Sequence, residues 1–139
     1  MNIIETGAES KLKMDNLFFT NLSFERNNNE AERDMSFRIA RKIETEGARH
    51  EVTVKVQLSD SGNNIRVNLI AVGIFSLEDA DNLSEETRNS ITNRNTVAIM
   101  FPYIRSQISL LTTQPDFPPI VLPAMNINAL LDLQDNDTQ

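Results

Sequence analysis

Cysteine and tryptophan are absent from this chain of 139 residues, which has one histidine and four glycines. Without cysteine it can form neither a disulfide framework nor a thiolate metal site, and it has no thiol nucleophile. The glycines, at positions 7, 47, 62 and 73, do not form the loop that cradles phosphates, so ATP hydrolysis is not expected. No apolar run is long enough to span a bilayer.

Basic residues are fewer than acidic ones: 13 lysines and arginines stand against 20 aspartates and glutamates, which gives a net charge of -7 at pH 7. This balance argues against a basic surface that binds nucleic acid. The N-terminus has neither the basic region nor the apolar run of a signal peptide. We therefore expect a soluble, cytoplasmic protein that does not insert into membranes. At this length it is most simply one domain with a real core.

A catalytic or metal centre is hard to assemble from these residues. His50, the single histidine, follows a turn, and no serine stands in the strained elbow that a Ser-His-Asp site requires. We interpret it as a solvated turn residue. Asp132, Asp135 and Asp137 are loosely spaced near the C-terminus, which favours a solvated tail over a calcium loop. The chain is predicted to be no enzyme and to need no cofactor or metal.

Alternating apolar and polar residues predict four strands in the first half of the chain. The third is the clearest, with Val52, Val54, Val56 and Leu58 on one face. The first strand begins at Met14 and changes parity near Asn21, which indicates a bulge. The fourth changes parity after Leu69, which also implies a bend. Short turns between them predict an antiparallel meander with one face exposed to solvent.

Helices are predicted after residue 80, and they must cover the other face of the sheet. Ser84 is a candidate N-cap followed by two acids, and the helix is expected to pause at residues 93–95. A main helix then starts at Thr96, with a kink or restart at Pro102. Asn126 caps a short last helix. The predicted fold class is α+β, with residues 1–13 as a loose arm, 14–133 as one domain and 134–139 as an acidic, disordered tail.

The segment from Phe101 to Leu131 carries the strongest functional signal. Phe101, Ile104, Ile108 and Leu111 form a narrow apolar seam, which suits packing against another helix, including one from a second subunit. The proline-rich loop that follows cannot be a central strand, yet it is too apolar for a free linker. Either these residues pack into the core, or part of the surface lines a groove for an apolar peptide, where Met100 and Met125 would adapt to varied partners.

Four short segments resemble the SecB family of bacterial protein-export chaperones. Residues 100–109 resemble its helix opening Leu-Phe-Pro-Tyr-Ala-Arg, and residues 117–130 resemble its ending, from phenylalanine-proline to asparagine-x-x-alanine-leucine. Residues 22–25 match the first-strand motif, and residues 73–76 match a glycine-Ile-Phe strand ending. The likeness spans about residues 15 to 131.

The resemblance implies an ATP-independent holdase that wraps unfolded, export-destined polypeptides around apolar grooves of a homotetramer, a dimer of dimers. By position, the implied client-binding residues are Phe19, Phe24, Phe37, Leu111, Phe117, Ile120, Met125, Leu130 and Leu131. Phe101, Ile104 and Ile108 are the candidate oligomer interface. A purely structural subunit, which would bury all of this apolar surface on assembly, is the competing hypothesis.

The family also implies an acidic sheet face that docks the translocase motor SecA. Glu25 matches one acid of that face, but Asn21, Arg66 and Asn68 stand where an acid, an apolar residue and an acid are expected. Client holding without strong SecA docking is therefore predicted. Some SecB-like chaperones instead hold the antitoxin of a toxin–antitoxin system, and this function stays open as an alternative.

Overall fold

The structure, a computed structural model, describes residues 12–27, 34–78 and 82–137. Four antiparallel strands precede two helices: β1 (Leu12–Arg26), β2 (Met35–Glu46), β3 (Arg49–Asp60), β4 (Ile65–Leu77), α1 (Glu85–Leu111) and α2 (Ile127–Asp137). This confirms the predicted α+β class. Most of the predicted arm, residues 1–11, and the last two residues of the predicted tail lie outside the described residues.

The strands lie in the order β1-β4-β3-β2, so the sheet is not the predicted meander. β1 pairs with β4 and not with β2, which places β1 and β2 at opposite edges. The sequence of β4 contains the reason, since Leu69–Ile74 is apolar on both parities. An apolar run of this kind is typical of a central strand, covered by a neighbour on each side.

Register shifts occur in β1 and not in β4. One shift falls between Phe19 and Asn21, which confirms the predicted bulge, and another falls between Met14 and Asn16. The bend predicted in β4 is wrong, because its register with β3 is unbroken and buried Ala71 and Phe75 continue the parity of Leu69. Ala71 and Gly73, which lie between Leu69 and Phe75 on the helix side of β4, are too small to show this parity in the sequence pattern.

Helix α1 covers one face of the sheet as a single helix of 27 residues. Ser84 is its N-cap, as predicted, and accepts a hydrogen bond from the backbone N–H of Thr87. The predicted pause at residues 93–95 is wrong, and Pro102 lies inside the helix. The carbonyl of Asn93 accepts a hydrogen bond from Arg41 of β2, which ties this part of the helix to the sheet.

Gly73 determines how closely α1 approaches the sheet. A Cβ atom at this position would lie 2.8 Å from the sulfur of Met100 and 2.8 Å from a ring carbon of Phe75. Both of those side chains are fully buried. Met100 is therefore a core residue packed on β4, and it is not part of a groove for varied partners.

Helix α2 packs beside the edge strand β2. Gln134 Oε1 accepts a hydrogen bond of 3.0 Å from the backbone N–H of Ile39. Because Ile39 lies on an edge strand and its N–H bonds to the helix, that N–H points away from β3. The helix continues to Asp137, into the range 134–139 that the sequence predicted as a tail.

Candidate functional site

The outer face of α1 and the loop after it form an open groove of about 590 Å³. Leu110 is 67% exposed on the helix side, and Val121 is 69% exposed on the loop side. The lining also includes Pro102, Arg105, Ser106, Ser109, Thr113 and Pro119. Large apolar side chains beside small hydroxyls leave room for a side chain from another molecule. We call this groove 1.

A second cavity, groove 2, lies between α1 and the start of α2 and has a volume of about 320 Å³. Its apolar walls come from Ala98, Phe101, Pro102, Ala124, Met125 and Ile127, with Arg105, Asn126 and Asn128 at its polar positions. Pro102 and Arg105 belong to both grooves, so the two are neighbours around one turn of α1. An extended segment could place successive apolar side chains in them, one in each.

The loop that forms groove 1 is anchored to the end of α1 by two hydroxyls. The buried Thr112 hydroxyl donates to the carbonyl of Ile108 and accepts from the N–H of Ile120 at 2.9 Å. The Ser109 hydroxyl donates to the carbonyl of Ile120, also at 2.9 Å. The three prolines in residues 115–119 prevent this segment from forming regular backbone pairs. The two hydroxyls therefore supply hydrogen-bond partners to the N–H and the carbonyl of Ile120.

Arg26, at the end of β1, holds the same loop from the other side. Its guanidinium donates to the carbonyls of Pro115 at 2.9 Å and Asp116 at 3.3 Å. It also lies 5.2 Å from the ring centroid of Phe117. That ring packs at 5.2 Å against Phe24. Asp116 has φ of 57°, so the turn is tight and is fixed by contacts on both sides.

The nine predicted client-binding residues are distributed unevenly around these grooves. Met125 lines groove 2, and the others pack on or in the core of the chain. Phe117 and Leu131 are buried, while Phe19, Phe24, Phe37, Leu111, Ile120 and Leu130 are half-buried against the core. A half-buried side chain can still contact a client from its open side, so their role in binding stays a prediction.

The sequence reasoning missed the exposed apolar residues of groove 1. Leu110 and Val121 were not assigned, and neither was Tyr103, which is 53% exposed on the same outer face of α1. Tyr103 and Leu110 are seven residues apart and therefore share one side of the helix. That spacing was present in the sequence, but the stronger seam of Phe101, Ile104 and Ile108 obscured it.

The predicted oligomer seam faces the sheet of its own chain. Ile104 and Ile108 are fully buried and Phe101 is nearly so, with its ring packed edge-on against Phe37. An interface through α1 would therefore use its outer face, where Tyr103 is exposed. Burial against the sheet of the same chain explains the apolar seam, and no second subunit is required to explain it.

His50 is buried and is not the solvated turn residue that the sequence predicted. One ring nitrogen bonds to the Thr45 hydroxyl at 2.8 Å, and Nε2 is buried without a protein partner in the described part of the chain. Burial lowers the pKa of His50 below its ordinary 6.5. Among the described residues, no three His, Cys, Asp or Glu side chains come close enough to hold a metal ion.

The sheet face away from α1 carries the residues predicted to meet SecA. Glu25 and Arg66 are paired strand neighbours and form an ion pair of 2.8 Å. Asn21 and Asn68 share this face because they, too, lie on the parity opposite the core residues. Neither described helix is long and apolar enough to cross a membrane.

Comparisons with known proteins agree with this architecture. The family model SecB, described as preprotein translocase subunit SecB, matches residues 5–138. Protein-export protein SecB of Neisseria meningitidis serogroup A is 31% identical over 83 residues, which cover 60% of this chain and 54% of that protein. Its counterpart in Nitrosococcus oceani is 26% identical over 148 residues, covering 97% of this chain and 88% of that protein.

The chain spans from about a quarter to just over half of the length of the first curated relatives that it matches. A solved structure of a SecB-like chaperone from Mycobacterium tuberculosis, in complex with a peptide of the HigA1 antitoxin, superimposes with a TM-score of 0.65. The two share 11% sequence identity, and the alignment covers 84% of this chain and 91% of that one. This likeness establishes the shared fold.

Proposed function

Because this chain belongs to the SecB family, we propose that it is a cytoplasmic, ATP-independent holdase that binds unfolded, export-destined polypeptides. The observation that carries the proposal is the pair of adjacent apolar grooves, with Leu110 and Val121 more than two thirds exposed. Monomeric proteins rarely leave large apolar side chains clustered in water without a partner. No chemical step is needed, since a protein that binds the unfolded state shifts folding by mass action.

Groove geometry favours extended apolar segments as clients. Each groove is of a size to receive only a few side chains, so a single contact would be weak. Several such contacts along one flexible polypeptide add through effective concentration. Weak, repeated contacts of this kind would hold a precursor firmly while leaving each site free to release it.

We also propose a homotetramer, a dimer of dimers, in which α1 contributes to subunit contacts. Because the inner seam is filled, the contact would start at Tyr103 on the outer face. Tyr103→Asp should lower the mass measured by light scattering while preserving the circular dichroism of the chain. An unmodified protein that is monomeric at micromolar concentration would exclude the tetramer.

Client holding is tested by suppression of the aggregation of an unfolded protein in the absence of ATP. The variant Leu110→Ser with Val121→Ser should bind an unfolded client about tenfold more weakly, which corresponds to about 1.4 kcal/mol. Leu133→Ser is the matched control, because Leu133 is 63% exposed on α2 and does not line either groove. Light scattering of all three proteins checks that assembly is unchanged.

Equal suppression by the groove variant and the control would refute the assignment of groove 1. The sequence-predicted residues give an independent test. Phe117→Ala with Met125→Ala should reduce holding, but Phe117 is buried against Phe24, so this variant should also melt earlier. Groove 2 would be excluded as a client site if Met125→Ala alone left affinity unchanged.

A second candidate function is the holding of an antitoxin. It is favoured by the sheet face that would dock SecA, where Glu25 is neutralised by Arg66 and asparagines occupy positions 21 and 68. A face with so few free carboxylates would attract a basic partner only weakly. Calorimetry against the SecA tail of the same cell separates the functions, since submicromolar binding would favour export and no binding would favour the antitoxin.

A further inference from the structure

The sheet face away from the helices, which we call the back face, carries a patch of apolar side chains. Phe18 pairs with Val72, and the rows on either side place Ile70 and Ile74 next to them. Phe18 is 42% exposed, Val72 is nearly covered by its neighbours, and the two isoleucines are half-buried. Both described helices contact the sheet from the other face, so neither of them covers this patch.

The charge of the back face has the opposite sign to that of the whole chain. Register and parity place six basic side chains on it: Lys13, Arg38, Lys42, Arg49, Lys55 and Arg66. The acidic ones are five: Glu25, Glu44, Glu46, Glu51 and Asp15, which lies in the bulge before Asn16 on the same parity. The chain as a whole carries -7, so its excess of acid lies elsewhere.

Two of these acids and two of the bases already pair with each other. Glu25 pairs with Arg66 at 2.8 Å, and Glu44 pairs with Lys42 at 3.0 Å. Lys55 lies directly beside Ile70 across the pairing of β3 with β4, and it is exposed. Glu51 lies beside Ile74 at the other end of the patch. The patch is therefore apolar in the middle and basic at the Ile70 end, while the Ile74 end carries both signs, because Lys13 and Arg49 flank Ser76 in the next row.

We infer that the back face binds a short acidic segment of a partner protein that carries one or two large apolar side chains. The apolar side chains would cover Phe18 and Val72, and a carboxylate would reach Lys55. Burying the exposed part of a phenylalanine supplies affinity, while the basic surroundings select the sign of the partner. A basic segment is disfavoured at Lys55. This surface is separate from the grooves, and the inference does not depend on the proposed holdase function.

The experiment is a fluorescence anisotropy titration with a fluorescein-labelled ten-residue peptide of alternating glutamate and leucine. A second peptide with lysine in place of every glutamate is the matched probe. The acidic peptide should bind more tightly than the basic one, and its affinity should fall as salt is raised. Phe18→Ser and Lys55→Glu should each weaken its binding by about tenfold, which is the effect expected of a central apolar anchor or a reversed charge.

Leu110→Ser is the control that separates this surface from groove 1. It should leave the affinity of the acidic peptide unchanged. Lys55 is exposed on a strand and its substitution should leave the fold intact, so Lys55→Glu tests the inference even if Phe18→Ser lowers stability. Circular dichroism of each variant confirms that it is folded.

Four results would overturn the inference. The first is an affinity that neither Phe18→Ser nor Lys55→Glu changes. The second is equal binding of the lysine peptide, which would show that charge does not select the partner. The third is a loss of binding in Leu110→Ser, which would place the peptide in groove 1. A change of oligomeric mass in Phe18→Ser with unchanged peptide affinity would also contradict it, because the back face would then be an interface between copies of this chain.

Discussion

Arg26 offers the sharpest test of how the loop of groove 1 is held. Arg26→Met keeps a long apolar side chain but removes two hydrogen bonds to the carbonyls of Pro115 and Asp116. It also removes the cation from its position near the ring of Phe117. The bond to Asp116, at 3.3 Å, is long and contributes less than the bond of 2.9 Å to Pro115.

The expected loss of stability follows from these contacts. A net hydrogen bond contributes about 1 kcal/mol and an exposed cation–π contact about 0.5–1 kcal/mol. Since the guanidinium is partly solvated and the contacts share one group, they do not add in full, and we expect about 1–2 kcal/mol. Urea denaturation followed by circular dichroism measures this difference. Hydrogen exchange of the Phe117 N–H, which bonds to the carbonyl of Gln114, reports whether the loop opens.

Arg26→Lys is the matched control for this prediction. Lysine keeps the charge but cannot bridge two carbonyls with a planar fork, so the variant should lie between the unmodified protein and Arg26→Met. Faster exchange at Phe117 with a small change in global stability would indicate that Arg26 fixes the loop locally. If Arg26→Met changed neither the exchange nor the urea midpoint, the proposed anchoring of groove 1 would be incorrect.

Three further predictions address the core and its one buried histidine. Gly73→Ala should cost about 1–3 kcal/mol by overpacking, and Met100→Ala should relieve part of that loss in the double variant, as a thermal denaturation cycle would show. Ile108→Asp should unfold the chain or cost more than about 4 kcal/mol, whereas a folded monomer would mean that the seam is an interface after all. Burial lowers the pKa of His50, so as the pH falls below 6.5 the unfolded chain binds a proton that the folded chain does not. The free energy of unfolding should therefore decrease as the pH falls. His50→Phe should flatten that part of the profile of stability against pH. Parallel pH profiles for the two proteins would contradict this prediction.

The strands and helices could be predicted because each follows a local rule. The alternation of Val52, Val54, Val56 and Leu58 marks β3 without reference to the rest of the chain, and Ser84 identifies the start of α1. The order of the strands could not be predicted in the same way. It depends on which neighbour best covers β4, and that is decided by contacts between residues far apart in sequence.

The candidate site was predicted in its location but not in most of its residues. The proline-rich loop and the adjacent part of α1 do form the grooves, as the apolar composition indicated. Large apolar residues there, such as Phe117 and Ile108, are buried and do not line the grooves. Residues that lie on the rim, such as Arg105 and Val121, carry no periodic signal of their own, and only the packed loop brings them together.

The bond between Gln134 and Ile39 has a consequence for the pairing of this sheet with other extended chains. An unpaired strand edge offers backbone groups to any extended polypeptide and can start a growing intermolecular sheet. Here the side chain of Gln134 occupies a donor in the middle of β2, and the bulges at Asp15 and Thr20 interrupt the other edge. An extended polypeptide would therefore find few free backbone partners at these two edges. The same features protect the chain from joining an intermolecular sheet.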